Sequence, residues 1–329
     1  MGIDVSPLAL TRAGTARHIR SLFAALSGEE VDLRRYAFGG SNRLLVPARD
    51  VGWYLAVLPA RARLDRVDVL HCPTHRAPVR SAVPVVVTFH DLAVLRHPRT
   101  FNAWTRAYTR LAVPRVAKAA RRVIAVSDFT RRELIDALDV PEEKVRVIPN
   151  AVGAPFEPRG EAADGDYVLA VSTLEPRKNL PRLVEAFRRA RLNGLRLLVA
   201  GAAGWGGVRL DGEGVSWLGQ VGDEELARLY RGARCVAYVS LYEGFGLPVL
   251  EAMACGAPVV AARNEAAEEV AGDAAVLVDP LDPDAIAAGL AEAVDRRPEL
   301  RTRGLARAAA FSWAEAARAT VEVYREAAA

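Results

Sequence analysis

Residues 243–256 of the chain read EGFGLPVLEAMACG, which sets two carboxylates, Glu243 and Glu251, at either end of a glycine turn and a short apolar segment. Gly244 and Gly246 open backbone conformations closed to other residues and let a ligand approach the main chain. Pro248 suits a first helical turn and Gly256 the position just past a helix end. The amides of Phe245, Gly246 and Leu247 would then project from a helix N-terminus, where partial positive charge favours an anion. Glu251, a turn further in, would reach hydroxyl groups if it faces a cleft, and Glu243, beside the turn, would contact a ligand bound there. Taken alone, the pair also fits a surface glutamate, a turn and an ordinary amphipathic helix, because short motifs arise by chance.

Two further sets of residues carry possible chemistry. In VSTLEPRKNLPRLVEAF (residues 171–187), Arg177 and Lys178 follow an apolar run and precede Asn179, expected as a helix cap. Two cations beside a helix start suit a diphosphate; a solvated basic loop is the alternative. His90 closes VVVTFHD at the end of another apolar run. A lone histidine is often a structural hydrogen-bonding group, and Asp91 reads as a cap of the next turn. In TRAGTARHI (residues 11–19) Gly14 stands before a helical pattern. No spacing of His and Cys resembles a zinc site, and no metal is expected.

The elements that must hold these residues form two series. In the first half, strands are expected at 67–73, 83–91, 121–127 and 144–150, with helices at 16–26 and 129–138. Their Val/Ile runs are not polar on alternate positions, which predicts strands buried on both faces of a parallel sheet. Residues 152–166, rich in Gly, Pro and acidic side chains, read as a linker. A second series places strands at 166–174, 195–201, 215–219, 235–240, 257–262 and 274–279, and helices at 180–191, 223–231, 248–254 and 283–295. A last helix opens at the capping-box pattern Ser312-x-x-Glu315. The expectation is α/β, with two doubly wound parallel-sheet domains whose ligands sit beyond the carboxyl ends of the strands.

Length and composition agree. The chain has 329 residues, 51% hydrophobic and 26% charged, enough for about two domains of ~100–200 residues. No apolar run reaches the ~18 residues of a membrane-spanning helix, and MGIDVSPLALTRAG lacks a secretory signal. Cys72, Cys235 and Cys255, each in an apolar stretch, read as reduced thiols of a cytoplasmic protein. The net charge of +4 hides an asymmetry: residues 1–150 hold 24 Lys+Arg against 14 Asp+Glu, or +10, and the remainder 20 against 26, or −6. Residues 96–122 carry eight basic side chains and no acidic one. Such a stretch is a solvated face or a contact for an anionic partner; no nucleic-acid-binding module accompanies it.

The segment VSLYEGFGLPVLEAMACGAPVVA resembles, almost letter by letter, the Glu-x7-Glu signature of the retaining GT-B glycosyltransferases of family 4. VSTLEPRKN, VIAVSDFTRREL, VRVIPNAV and VSWLGQVGDEELARLY are similar to other segments of that family, so the resemblance covers nearly the whole chain. There are departures: Thr173 stands where some members carry arginine, Ala151 where glycine is usual, and a single Gly14 where two glycines are common. NEAAEEVAGDAAVLVDP departs from the small hydroxyl residues common there, with Glu269 fitting an acidic position. The first strand looks clipped at GIDV, and a natural N-terminus a few residues longer is expected.

The resemblance implies a GT-B fold: two Rossmann-like domains facing a central cleft, an acceptor-side domain at 1–155, a nucleotide-sugar domain at 156–311 and a C-terminal helix at 312–329 packing back on the first. It implies transfer of a sugar, with retention, from a nucleoside-diphosphate sugar to a hydroxyl of a glycan, lipid-linked or small-molecule acceptor in cell-envelope or polysaccharide synthesis. GDP-mannose is the first choice of donor and a UDP-sugar the next. Glu243, His90, Arg177 and Lys178 would be catalytic. Gly14, Gly244, Phe245, Gly246, Leu247, Glu251 and Val221 would bind substrate: Glu251 through the ribose, Gly219 to Val221 through backbone contacts to the base. No cofactor or metal is implied. Peripheral attachment to anionic membrane through 96–122 is expected, and nucleic acid is not. A GT-B nucleotide-sugar-binding protein without transferase activity and a nucleotide-sugar epimerase remain alternatives.

Overall fold

The computed structural model describes residues 1–9, 14–38, 48–101, 103–210 and 212–329. It divides into two units, one formed by Met1–Asn150 with Trp313–Ala329, the other by Ala151–Ser312.

The first unit is a six-stranded parallel sheet of β1 (Gly2–Asp4), β2 (Arg34–Tyr36), β3 (Leu70–Cys72), β4 (Val85–Phe89), β5 (Arg122–Ala125) and β6 (Val145–Val147), in the order β2-β1-β3-β4-β5-β6. Alternate residues of a strand point to opposite faces. Val85, Val87 and Phe89 accordingly join a core on one face with Val113, Val116 and Leu134, while Val86 and Ile124 join the other with Leu22, Leu26, Val321 and Tyr324. Both faces of the central strands β4 and β5 are covered by helices, which is why these two read as largely apolar runs. The helix Trp313–Ala328 packs on this second face beside the helix Gly14–Leu26, and its Tyr324 hydroxyl shares a 2.7 Å hydrogen bond with Nδ1 of buried His71.

The second unit repeats the plan with β7 (Tyr167–Val171), β8 (Arg196–Ala200), β9 (Val215–Gly219), β10 (Cys235–Tyr238), β11 (Val259–Ala262) and β12 (Val276–Val278), all parallel, in the order β12-β11-β10-β7-β8-β9. Growth of the sheet starts at β7, runs one way through β8 and β9, then resumes on its other side with β10. The reversal opens a crevice beyond the carboxyl ends of β7 and β10, the usual ligand position of such sheets. In the first unit the corresponding reversal lies between β1 and β3. The segment after Asn150, read as a linker, is held by the second unit: Phe156 packs edge-on against Tyr230, and the Ala163 amide donates to the Arg228 carbonyl at 3.0 Å.

All three cysteines are free and buried. Elements without a clear apolar period escaped the sequence reading. β2 is Arg-Arg-Tyr, with two of its three residues exposed. The helix Ala103–Ala119 buries Thr109, Val113, Val116 and Ala117 and contains Pro114, so its charges dominated its pattern. Arg49–Val57 is wound as a π-helix running into the helix Leu58–Leu64, a geometry with no local sequence rule.

Candidate active site

Because β7 and β10 are hydrogen-bonded neighbours, the loops that leave their carboxyl ends meet. The loop after β7 forms a single 3-10 turn, Pro176–Lys178; that after β10 carries Ser240 to Gly246. The Leu241 amide donates to the Arg177 carbonyl at 2.8 Å, tying the two loops together. Their side chains then converge. Lys178 Nζ lies 2.5 Å and Arg177 Nη1 3.1 Å from Oε1 of Glu243. Arg177 also donates from Nη1 to the Tyr242 carbonyl at 3.0 Å and from Nε to Glu175 at 3.1 Å, while the Lys178 ammonium sits 5.5 Å from the centre of the Tyr238 ring.

The cluster is well removed from water, Glu243 being 8% exposed. Burial alone would raise the Glu243 carboxyl; Lys178 and Arg177 more than offset it and hold the group at about 2. Burial, together with Arg177, pushes the Lys178 ammonium down against the pull of Glu243. Burial also raises Glu175, opposed by Arg177 and Lys178. Buried charges must be paired. Here two cations and two carboxylates meet that condition, and they do so with few degrees of freedom.

Asn179 occupies the position before the helix Leu180–Ala190 but makes no side-chain cap. With φ at 60° it turns its amide away, to donate to the carbonyls of Val239 and Pro280 at 3.1 and 2.7 Å. The residue expected as a cap is instead a brace that fixes the Arg177–Lys178 turn against the end of β10.

The expected turn and helix are present. Gly246 has a φ of 106° and precedes the helix Leu247–Ala254, and among the described residues no side chain caps that helix start. The positive φ falls on Gly246 and not on Gly244, so the special conformation belongs to one glycine of the pair. Phe245 is buried edge-on against Phe311, which anchors the turn. Glu251 is 1% exposed, and its Oε2 accepts from the Tyr230 hydroxyl at 3.1 Å. Val221 follows β9 at the far side of the sheet, after Gly219, whose carbonyl accepts from the Gly201 amide at 2.8 Å. Arg177, Lys178, Glu243 and the turn through Leu247 are therefore brought together, with Glu251 one turn behind.

His90 and Gly14 belong to the first unit. His90 stands at the carboxyl end of β4, and its Nε2 donates to the Pro73 carbonyl at 3.0 Å, which leaves Nδ1 as the acceptor nitrogen. Burial lowers its basicity, so the ring is neutral at ordinary pH. Asp91 caps the following turn through the Ala93 amide, at 2.9 Å. Gly14 opens the helix Gly14–Leu26; residues 11–13 of the loop before it lie outside the described residues. That helix supplies a group the sequence reading passed over. His18 packs edge-on against His90 with ring centroids 4.6 Å apart, and its Nδ1 shares a 2.6 Å hydrogen bond with Oδ1 of Asn150. The signal was there: in ARHIRSLFAAL, His18 falls on the apolar face with Ile19, Leu22 and Leu26.

Residues 2–154 match the family model Glycosyltransferase Family 4, and residues 155–309 match Glycosyl transferases group 1. The chain is similar to O-antigen chain mannosyltransferase B of Escherichia coli, 34% identical over 285 residues that cover 78% of this chain and 74% of that protein. It belongs to glycosyltransferase family 4. This family 4 transferase shares its fold with sucrose-phosphate synthase from Thermosynechococcus elongatus, at a TM-score of 0.80 and 20% identity over 99% of this chain and 98% of that one. The same holds for Anabaena Alr3699/HepE, solved with UDP and glucose, at a TM-score of 0.72 and 18% identity over 98% of each chain. The fold is GT-B and the enzyme a glycosyltransferase. Among the described residues no helix is long and apolar enough to cross a membrane.

Proposed function

We propose that this family 4 enzyme transfers a sugar, with retention of configuration, from a nucleoside-diphosphate sugar to a hydroxyl group. GDP-mannose is the first candidate donor, in keeping with the E. coli mannosyltransferase, and a UDP-sugar the second, in keeping with the UDP bound to HepE. The observation that carries the reading is the convergence of Lys178, Arg177 and Glu243 at the reversal between β7 and β10, next to an uncapped helix start.

In the reaction the bond from the sugar C1 to the diphosphate breaks and a bond from C1 to the acceptor oxygen forms on the same face. The acceptor proton passes to the departing phosphate, and a nucleoside diphosphate leaves. Negative charge grows on the diphosphate, and prearranged cations and amides in a water-poor site stabilise it best. Arg177, Lys178 and the amides from Gly244 to Leu247 take that role. Glu243, fixed between the two cations, orients the sugar hydroxyls. Glu251, held by Tyr230, takes the ribose. Val221 and the backbone before it face the base. His90, neutral and held through Nε2, is the first unit's candidate for a group that meets the sugar. No metal or cofactor is needed for these steps.

The acceptor is a glycan, a lipid-linked or a small-molecule hydroxyl in envelope or polysaccharide synthesis. A peripheral membrane contact through 96–122 fits the exposed Arg99, Arg106, Arg110 and Arg115 beside exposed Trp104 and Leu111; Arg96, Lys118 and Arg122 are already paired with Glu133, Asp139 and Glu326. Incubation of GDP-mannose and UDP-hexoses with candidate acceptors, with NMR of the product's anomeric proton, tests the reading. An α-linked product from an α-linked donor supports it. An inverted product contradicts it, and a changed donor sugar with no acceptor consumed favours an epimerase.

A further inference from the structure

The first unit holds a second charged cluster that the donor chemistry does not use. Asp50, at the start of the π-helix, is 2% exposed and receives four hydrogen bonds. Its Oδ1 accepts from Arg49 Nε at 3.0 Å, Arg49 Nη2 at 2.7 Å and Arg76 Nε at 3.0 Å, and its Oδ2 from the Trp104 indole at 3.1 Å. One carboxylate thus faces two guanidinium groups. Arg49 is 4% exposed, yet its Nη1 is buried with no hydrogen-bond partner among the described residues; so is Nε2 of the neighbouring His75. Arg76 keeps its side chain 21% exposed and lies over the Tyr108 ring, its guanidinium carbon 5.5 Å from the centroid.

A buried positive charge in excess of its partners costs stability unless something negative completes it. The location is equally telling. His75 and Arg76 follow the carboxyl end of β3, on one side of the reversal between β1 and β3 where ligands of this sheet type settle. The donor diphosphate has its own cations, Arg177 and Lys178, in the other unit, so a second anion site in the first unit belongs to the other substrate.

We propose that Arg49 and Arg76, with His75 beside them, form an oxyanion subsite that recognises a carboxylate or phosphate group on the acceptor. The inference rests on the glycosyltransferase reading. Arg76, the partly exposed member, offers the outer edge of its fork, and Arg49 behind it adds the positive charge of an Nη1 that has no partner among the described residues; Asp50, itself held by Trp104, keeps the two forks in place. An acceptor carrying such a group is preferred over its neutral analogue, and Arg49 and Arg76 set that preference.

The test is calorimetric titration of the whole chain with glucuronate, mannose 6-phosphate and, as the uncharged control, methyl mannoside. It is run with GDP or UDP at saturation so that the donor site is filled. One of the two anions binds at least tenfold more tightly than methyl mannoside, and which one does so tells a carboxylated acceptor from a phosphorylated one. Arg76→Gln, a partly exposed position whose unliganded melting temperature checks folding, and Arg49→Lys, which keeps the charge but loses the fork, each weaken that binding at least tenfold. Equal binding of all three compounds, or unchanged anion binding in both variants, overturns the subsite. If neither nucleotide binds, the donor reading fails instead, and the same titration in Lys178→Ala, without nucleotide, decides the subsite independently.

Discussion

Lys178 Nζ rests 2.5 Å from Glu243 Oε1, across 65 residues of sequence. The cation assigned to the diphosphate is therefore held by the carboxylate assigned to the sugar, and a bound donor must share Lys178 with Glu243. Glu243→Gln releases both cations from that carboxylate. It is expected to bind the nucleoside diphosphate product about tenfold more tightly while lowering kcat by about 100-fold or more, the size of effect seen when an oriented polar partner of a transition state is lost. Product inhibition constants and steady-state rates check both halves; weaker product binding would count against the shared-cation account.

Arg177 is not replaceable by lysine. Its guanidinium spans Glu175, the Tyr242 carbonyl and Glu243 at once, and an ammonium cannot hold three directions in one plane. Arg177→Lys is expected to cut kcat/KM by about 30-fold or more despite the conserved charge. Activity within threefold of wild type would show that the charge alone suffices.

Acid stability follows from the same pair. Glu243 is held at about 2 in the folded state, below its ordinary ~4.3, so its contribution is complete above that ordinary value and is lost as pH falls towards the folded one. Urea melts of wild type and Glu243→Gln should lie furthest apart above pH ~5 and converge towards pH ~2. A pH-independent difference would place the ion pair outside the folded state's energetics.

The buried histidines act in a higher window. Burial lowers His18 and His90, and holds His71 and His75 at about 3. Below the ordinary value of ~6.5 the unfolded chain takes up protons that the folded chain refuses, so stability falls as pH drops, by up to about 1.4 kcal/mol per pH unit for each ring. His71→Gln loses stability at neutral pH, because Tyr324 and Thr88 lose their partner, and should show a shallower decline from pH 6.5 to 4. An unchanged slope would mean that His71 titrates normally.

Gly246 is conformationally required. A Cβ there meets Tyr238 and Val249 at a comfortable 3.8 Å, but the φ of 106° disfavours any other residue. Gly246→Ala is expected to cost about 1–2 kcal/mol of stability and to reduce nucleotide affinity further by misplacing the turn amides. Gly244→Ala, without a positive φ, should cost less backbone strain. Chemical denaturation of the two variants compares them directly.

Much of this was legible in the sequence, for reasons that can be named. The central strands announced themselves because they are covered on both faces, and Val85 to Phe89 could be apolar but for Thr88, which shares a hydrogen bond with buried His71. The glycine turn and its helix were legible because Gly246 and Pro248 satisfy local backbone rules. The contact of Lys178 with Glu243 was not, since it depends on β7 and β10 becoming neighbours, a matter of strand order rather than spacing. His18 and Tyr230 were passed over, and Asn179, at the helix start as expected, spends its side chain elsewhere, for a related reason. Each makes its decisive hydrogen bond to a residue distant in sequence, and a polar residue on an apolar face looks like an interruption until its partner is in view.

The central claim is that Arg177 and Lys178, at the reversal between β7 and β10, hold the diphosphate of a nucleotide sugar. The most direct measurement is the melting temperature of wild type and Lys178→Ala with and without GDP-mannose, UDP-glucose and their nucleoside diphosphates, because a ligand of the folded state raises it with occupancy. The account predicts a rise with one nucleotide family in the wild type that is abolished in Lys178→Ala. An equal rise in both proteins would contradict it.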